Sequence, residues 1–244
     1  MATRTKRKRA PYFDMPPGRT LGSRYQVLDL LGFGWEGEVY KVVERHTGIE
    51  RAAKLFYPHR SQRGRALLNY ARKLNKLKDV PVIIQYHHRD VTRFRGQQIE
   101  FMVSEYVDGE QLSTLLDRQA GHRFTSFEAL HILYAICEGI APIHIMGEYH
   151  GDLHTDNVVI RRKGIGFGVK LLDFFDFGRP SKAKIHSDVL QLIDILYELV
   201  GAERWYARCG PEIRQLVCGR KHSLILRKFQ TAGQLKNAIQ NLRW

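Results

Sequence analysis

Cysteine is scarce in this sequence: Cys137, Cys209 and Cys218 are the only three among 244 residues, and none sits in a CxxC spacing. An odd, scattered set supplies neither a disulfide framework nor a thiolate zinc site, so inert thiols are expected. Long apolar runs are missing too. None approaches the roughly 20 residues of a membrane helix, and the basic run from Thr3 to Arg9 has no apolar stretch behind it, so the expectation is a cytoplasmic chain without a membrane span. Acidic residues are outnumbered, 25 against 39 Lys and Arg, for a net charge of +14. That excess suits a polyanionic or phosphorylated partner without choosing one. No Gly-Lys-Ser or Gly-Lys-Thr triplet occurs, which excludes a Walker A phosphate loop.

The 43% hydrophobic content suffices for a sizeable core in one domain or two lobes. Residues 1–20 read as a basic disordered tail closed by Pro16-Pro17-Gly18; the plain reading is a solvated arm, the alternative a polyanion contact. Strands are expected at 25–31, 39–44 and 49–56. A helix follows over 61–78, where Leu67, Ala71, Leu74 and Leu77 recur at helical spacing. Further strands are expected at 83–86 and 99–107, with His87, His88 and the basic cluster 89–95 as a solvated hairpin surface between them. Beyond Gly109 the pattern is helical, marked by Leu130, Leu133, Ile136, Ile140 and Ile143, then by Val189, Leu192, Ile193, Leu196 and Leu199, with shorter helices at 211–219 and 232–242. The expected class is α+β: an antiparallel sheet with one helix over 21–108, and a helical region over 109–244.

Two stretches carry chemistry. Gly32-Phe33-Gly34-Trp35-Glu36-Gly37 fits GxGxxG, but a dinucleotide fold needs a helix directly after it, and here a Val- and Tyr-rich strand follows. The glycines therefore belong to a hairpin whose bare backbone N–H groups can approach a phosphate, with Lys54 on the next strand. Trp35, at the tip, either covers a ligand or packs on its own hairpin. In the second stretch His150, Asp152, His154 and Asp156 alternate and close on Asn157. By itself such a segment would project metal ligands from one strand face. The long helix before it, Val158-Val159-Ile160 after it and Asp173 ending the next strand favour a loop whose chemistry belongs to Asp152 and Asn157, with His150 structural and Asp156 solvated.

These residues resemble the protein kinase-like superfamily over nearly all of 25–242. Leu31 to Val39 matches its glycine loop, Ala52-Ala53-Lys54 its phosphate-binding lysine, and Ser104 to Val107 its interlobe hinge. His150 to Asn157 matches the catalytic loop, Lys170 to Phe175 the strand that ends in a metal-binding aspartate, and Ser187 to Leu199 the central helix of the large lobe. The resemblance implies a bilobal α+β fold using ATP and Mg²⁺. It places Leu31, Gly32, Gly34, Gly37, Val39, Ala52, Lys54, Glu105 and Val107 around the nucleotide, Asp152 at the attacking hydroxyl, Asn157 and Asp173 on metal, and Asp188 beneath the catalytic loop. Asp176, in the literal Asp176-Phe177-Gly178 triplet, is the rival to Asp173; if Asp173 is the ligand, Phe175 stands where the family usually has glycine.

The sequence departs from the family pattern at three points. The 61–78 helix contains no acidic residue to pair with Lys54, and Asn69 and Tyr70 lie nearest that slot. Gly151 replaces the common arginine and His154 the common lysine, so His-Gly-Asp-Leu-His is similar to the loop of aminoglycoside and other small-molecule phosphotransferases, where the histidine serves near the γ-phosphate. Only residues 179–186 separate Gly178 from Ser187, and no Ala-Pro-Glu follows, so the peptide-docking segment is nearly absent. The first functional expectation is a protein serine/threonine kinase. The alternatives are a kinase of small hydroxyl compounds, such as aminoglycosides or choline, and a nucleotide-binding pseudokinase.

Overall fold

The computed structural model describes residues 12–58, 65–164, 166–174 and 178–242. The chain divides into two compact units, Met1–Arg72 with Gln85–Tyr106, and Lys73–Ile84 with Val107–Trp244. The first boundary expected from the sequence, between 108 and 109, thus lies at 106, and the segment 73–84 belongs to the second unit.

The first unit is built on a six-stranded antiparallel sheet of β1 (Thr20–Leu21), β2 (Tyr25–Phe33), β3 (Gly37–Glu44), β4 (Glu50–Phe56), β5 (Tyr86–Phe94) and β6 (Gln97–Glu105), in the order β1-β2-β3-β4-β6-β5. Side chains alternate between its faces. Val27, Tyr40, Val42, Ala53, Leu55, Phe101 and Val103 are buried in one core cluster. The register Gly32↔Val39, Val39↔Lys54 and Lys54↔Met102 lines those four residues across the opposite face. α1 (Arg65–Lys76) follows β4, shorter than the 61–78 expected; residues 61–64 lie outside the described residues.

Two expectations are corrected here. Residues 12–20 do not belong to a disordered tail: Phe13 and Met15 are buried in the sheet's core cluster. The polar side of the same strap is held by Glu38 of β3, which is fully buried. Its carboxylate accepts the backbone N–H groups of Tyr12, Phe13 (2.8 Å) and Asp14 (3.3 Å) and the hydroxyls of Tyr40 and Tyr57 (3.2 Å). Donors of that number make a buried carboxylate tolerable. Burial, then the nearby Glu38 charge, pushes the Tyr57 hydroxyl up to about 12. The apolar Tyr12, Phe13 and Met15 are what separate the strap from the basic run before it, which lies outside the described residues. The second correction concerns 83–95. Of the strand expected at 83–86 only Tyr86 is in a strand, and His87 to Phe94, expected as a hairpin surface, are β5 itself, turning into β6 through Arg95 and Gly96. β5 is an edge strand, and an edge tolerates the charges that disguised it.

The second unit contains α2 (Leu112–Asp117), α3 (Ser126–Ile145), α4 (Lys182–Leu199), α5 (Ala202–Tyr206), α6 (Pro211–Val217), α7 (His222–Lys228) and α8 (Ala232–Gln240), with a small antiparallel sheet of β7 (Glu110–Gln111), β8 (Val158–Lys163) and β9 (Gly166–Leu171). Thr125 and Glu128 close a capping box that starts α3. Among the described residues α3 is the one helix long and apolar enough to cross a membrane. Its Leu130, Leu133, Ile136 and Ile140 are buried inside the unit, where the helix packs against α4 and α8.

Candidate active site

In the first unit the glycine hairpin is closed by the Gly34 N–H donating to the Gly37 carbonyl (2.9 Å), and the Tyr57 N–H holds the Glu36 carbonyl (2.9 Å). Gly37 is required by packing, since a Cβ there would lie 1.9 Å from the Leu55 carbonyl oxygen. Gly32 and Gly34 are different: a Cβ at either would meet nothing within 4 Å. Phe33 and Trp35 are exposed. Behind the hairpin, Lys54 is buried on β4, and its amine lies 3.0 Å from the Glu36 carboxylate and 5.0 Å from the Tyr70 ring centroid. The lysine therefore has an acidic partner that the sequence did not reveal, supplied by the glycine loop, while Tyr70 of α1 presents an aromatic face. Glu105 ends β6, where its carboxylate accepts the Gln85 N–H (3.1 Å), and Val107 opens the second unit.

In the second unit α3 delivers the chain to the loop His150 to Asn157. α4 braces that loop from one helical face. Buried Asp188 accepts the N–H groups of His150 (2.6 Å) and Gly151 (2.8 Å), Gln191 accepts the Leu153 N–H (2.9 Å), and Glu198 accepts the Thr155 hydroxyl (3.2 Å). Burial raises the Glu198 carboxyl above its ordinary value. Gly151 has φ 93, in the left-handed region that favours glycine, so the backbone itself accounts for glycine where the family usually has arginine. Asn157 donates its side-chain NH₂ to the Asp152 carbonyl (2.8 Å) and lies 3.4 Å from the Asp152 carboxylate. That orientation keeps its amide oxygen as the ligand-type atom. The Leu172 N–H reaches the Asn157 carbonyl (2.9 Å), which sets Asp173 beside Asn157 at the open end of the β8–β9 hairpin. Asp173 has φ 49, in the left-handed region that Asp enters more readily than most side chains.

His154 stands between two carboxylates, Nε2 3.6 Å from Asp152 and Nδ1 3.5 Å from Asp156. His150 turns the other way. Its Nε2–H donates to the Leu172 carbonyl (3.0 Å), its Nδ1 accepts the Asp152 N–H (3.2 Å), and its ring packs 4.2 Å from that of Phe174. Among the described residues no three His, Cys, Asp or Glu side chains gather as a metal cluster. Phe175 and Asp176 lie outside the described residues.

Full burial lowers the His150 pKa from 6.5 to about 4. Between those values the unfolded chain binds a proton that the native ring refuses. The contribution is complete above 6.5 and lost as pH falls toward 4, on the order of 3 kcal/mol in all. Urea unfolding across that window should show stability falling with acidification, and the fall should be visibly smaller in His150→Asn.

A further supporting residue carries no motif in the sequence. His144, buried near the end of α3, lies with Nε2 3.1 Å from the Asp188 carboxylate and accepts the Ala232 N–H at Nδ1 (3.0 Å). It ties the start of α8 to the carboxylate under the His150–Asn157 loop. Its only sequence signal is a histidine six positions before His150.

One unit thus carries a glycine hairpin with a strand lysine, and the other a braced Asp–Asn loop leading to an aspartate. The chain belongs to the protein kinase domain family, whose model matches residues 25–213. It is similar to the serine/threonine-protein kinase PknA of Corynebacterium glutamicum, 29% identical over 157 residues, which are 63% of this chain and 32% of that protein. It is also similar to the serine/threonine-protein kinase drp72 of Corynebacterium efficiens, 28% identical over 157 residues, 63% of this chain and 29% of that one. The chain spans less than half the length of the first curated relatives it matches. In fold it is similar to the crystal structure of the Mycobacterium tuberculosis PknI kinase domain, with a TM-score of 0.64, 20% identity, and 93% of this chain and 98% of that chain covered.

Proposed function

We propose that the chain is an ATP- and Mg²⁺-dependent protein kinase that transfers the γ-phosphate to a serine or threonine hydroxyl. The observation that carries this reading is the Asp152–Asn157 pair, joined by the Asn157 amide donating to the Asp152 carbonyl, in a loop whose backbone N–H groups donate to Asp188 of α4. The chain's own residues fit the nucleotide. Gly32 and Gly34 are bare although the fold has room for side chains, which is accounted for by a phosphate approaching the hairpin backbone. Gly37 closes the hairpin, Leu31, Val39 and Ala52 offer apolar contact to the base, and Glu105 and Val107 offer backbone groups to its edge. Asn157 and Asp173 provide the hard oxygen donors that suit Mg²⁺, which takes few protein ligands. These two residues would hold the metal, which when bound would supply positive charge to the phosphate oxygens. Lys54 holds phosphate oxygens from the sheet side. Asp152 accepts the proton of the attacking hydroxyl at its carboxylate. His154 brings an imidazole N–H beside Asp152, where protein kinases usually have lysine.

A second reading, phosphorylation of a small hydroxyl compound, is favoured by the short path from Asp173 to α4. The carbonyls of Gly178 and Arg179 are tied to the Tyr149 hydroxyl (3.0 Å) and the Lys184 amine (2.8 Å), which leaves little chain to dock a peptide. Mg·ATP at a hundredfold excess over its dissociation constant should stabilise the protein by about 2.7 kcal/mol. A thermal melt without any shift at millimolar nucleotide contradicts the proposal. Labelled ATP offered with generic proteins, aminoglycosides and choline then decides the acceptor.

A further inference from the structure

Lys54 meets a carboxylate from an unexpected direction. α1 has no acidic residue, and the acid 3.0 Å from the amine is Glu36, inside the glycine hairpin. The hairpin is the element whose N–H groups would face phosphate, so the Glu36 carboxylate reaches Lys54 from the phosphate side. An anionic oxygen at 3.0 Å is also what a phosphate oxygen would present to the amine. The pair is partly shielded, with the Lys54 side chain 8% exposed and that of Glu36 28%. The Tyr57 N–H pins the Glu36 carbonyl while its side chain stays at the hairpin, so the side chain can swing without unmaking β3.

We infer that Glu36 is an internal phosphate stand-in: it occupies Lys54 when no nucleotide is bound, and must be displaced before Lys54 can take ATP phosphate. This rests on the ATP-binding reading above. Nucleotide binding then breaks one ion pair and brings a triphosphate up to a displaced carboxylate, and both effects weaken affinity. The hairpin swaps a grip on its own acid for a grip on the ligand, which makes Glu36 a positioning residue acting through Lys54. Exchange of the partner involves no change in covalent bonding.

The test measures Mg·ATP dissociation constants by calorimetry for the full chain, Glu36→Gln, Lys54→Met and the double variant, each checked for an unchanged far-ultraviolet spectrum. Glu36→Gln should bind Mg·ATP about three- to tenfold more tightly, the range expected for releasing a partly shielded ion pair. The gain should vanish in the Lys54→Met background, because the acid acts only through the lysine. In turnover it should lower KM for ATP more than it changes kcat. Equal or weaker binding by Glu36→Gln, with the parent chain binding normally, overturns the inference and leaves the ATP reading standing. A gain that persists without Lys54 also overturns it. Absence of nucleotide binding in both the parent chain and Glu36→Gln overturns the inference together with the ATP reading.

Discussion

Asp152→Asn should leave Mg·ATP affinity nearly unchanged and lower phosphoryl transfer by roughly 10²- to 10⁴-fold, the span of a lost general base. The reason is local. Asp152's backbone carbonyl, not its carboxylate, carries the shorter bond to Asn157, 2.8 Å against 3.4 Å. The substitution therefore preserves the loop and removes only the proton acceptor. His154 loses one of its two carboxylate neighbours, but Asp156 remains 3.5 Å from its Nδ1. Transfer rates and nucleotide affinity measured on the same preparation check this. A variant with parental transfer would dismiss Asp152 as the base.

The second large effect is expected at Asp188. This fully buried carboxylate receives two loop N–H groups, and the His144 ring nitrogen lies beside it. Removing one member of a buried ionic and hydrogen-bonded set costs roughly 3–5 kcal/mol, because the partners are left buried without acceptors. Asp188→Ala should lose about that much stability in urea unfolding. Asp188→Asn keeps the shape but turns an NH₂ toward a group that also donates. It should fold with a smaller loss, while hydrogen exchange at Gly151 speeds up and transfer falls. Unaltered exchange at Gly151 in Asp188→Asn would show that the loop is held by other means.

The parts legible in the sequence are those that depend on short-range pattern. Alternation marked β2, β3, β4 and β6, and helical spacing marked α1, α3, α4 and α8, with ends displaced by a few residues. Gly32, Gly34, Lys54, Asp152, Asn157 and Asp173, the residues of the proposed site, stood out because a phosphate site draws on motifs only a few residues long. The features that escaped depend on tertiary contacts. Glu36 became a partner of Lys54 only when the hairpin folded back over β4, although an acid inside the glycine motif and none in the following helix were both visible. The strap 12–20 was hidden by the basic run beside it; its Phe13 and Met15 are core residues because Glu38 satisfies the backbone between them. β5 was masked by charges that an edge strand carries without penalty. His144 acquires its role only where α3, α4 and α8 meet.

The measurement that bears most directly on the account is transfer from γ-labelled ATP in the presence of Mg²⁺, with the protein itself and generic serine- and threonine-containing proteins as acceptors. The account predicts label on protein hydroxyls, abolished by chelating the metal and by Lys54→Met. Nucleotide bound but no label on any protein or small hydroxyl acceptor, from a chain whose Asp152–Asn157 loop is intact, would contradict it.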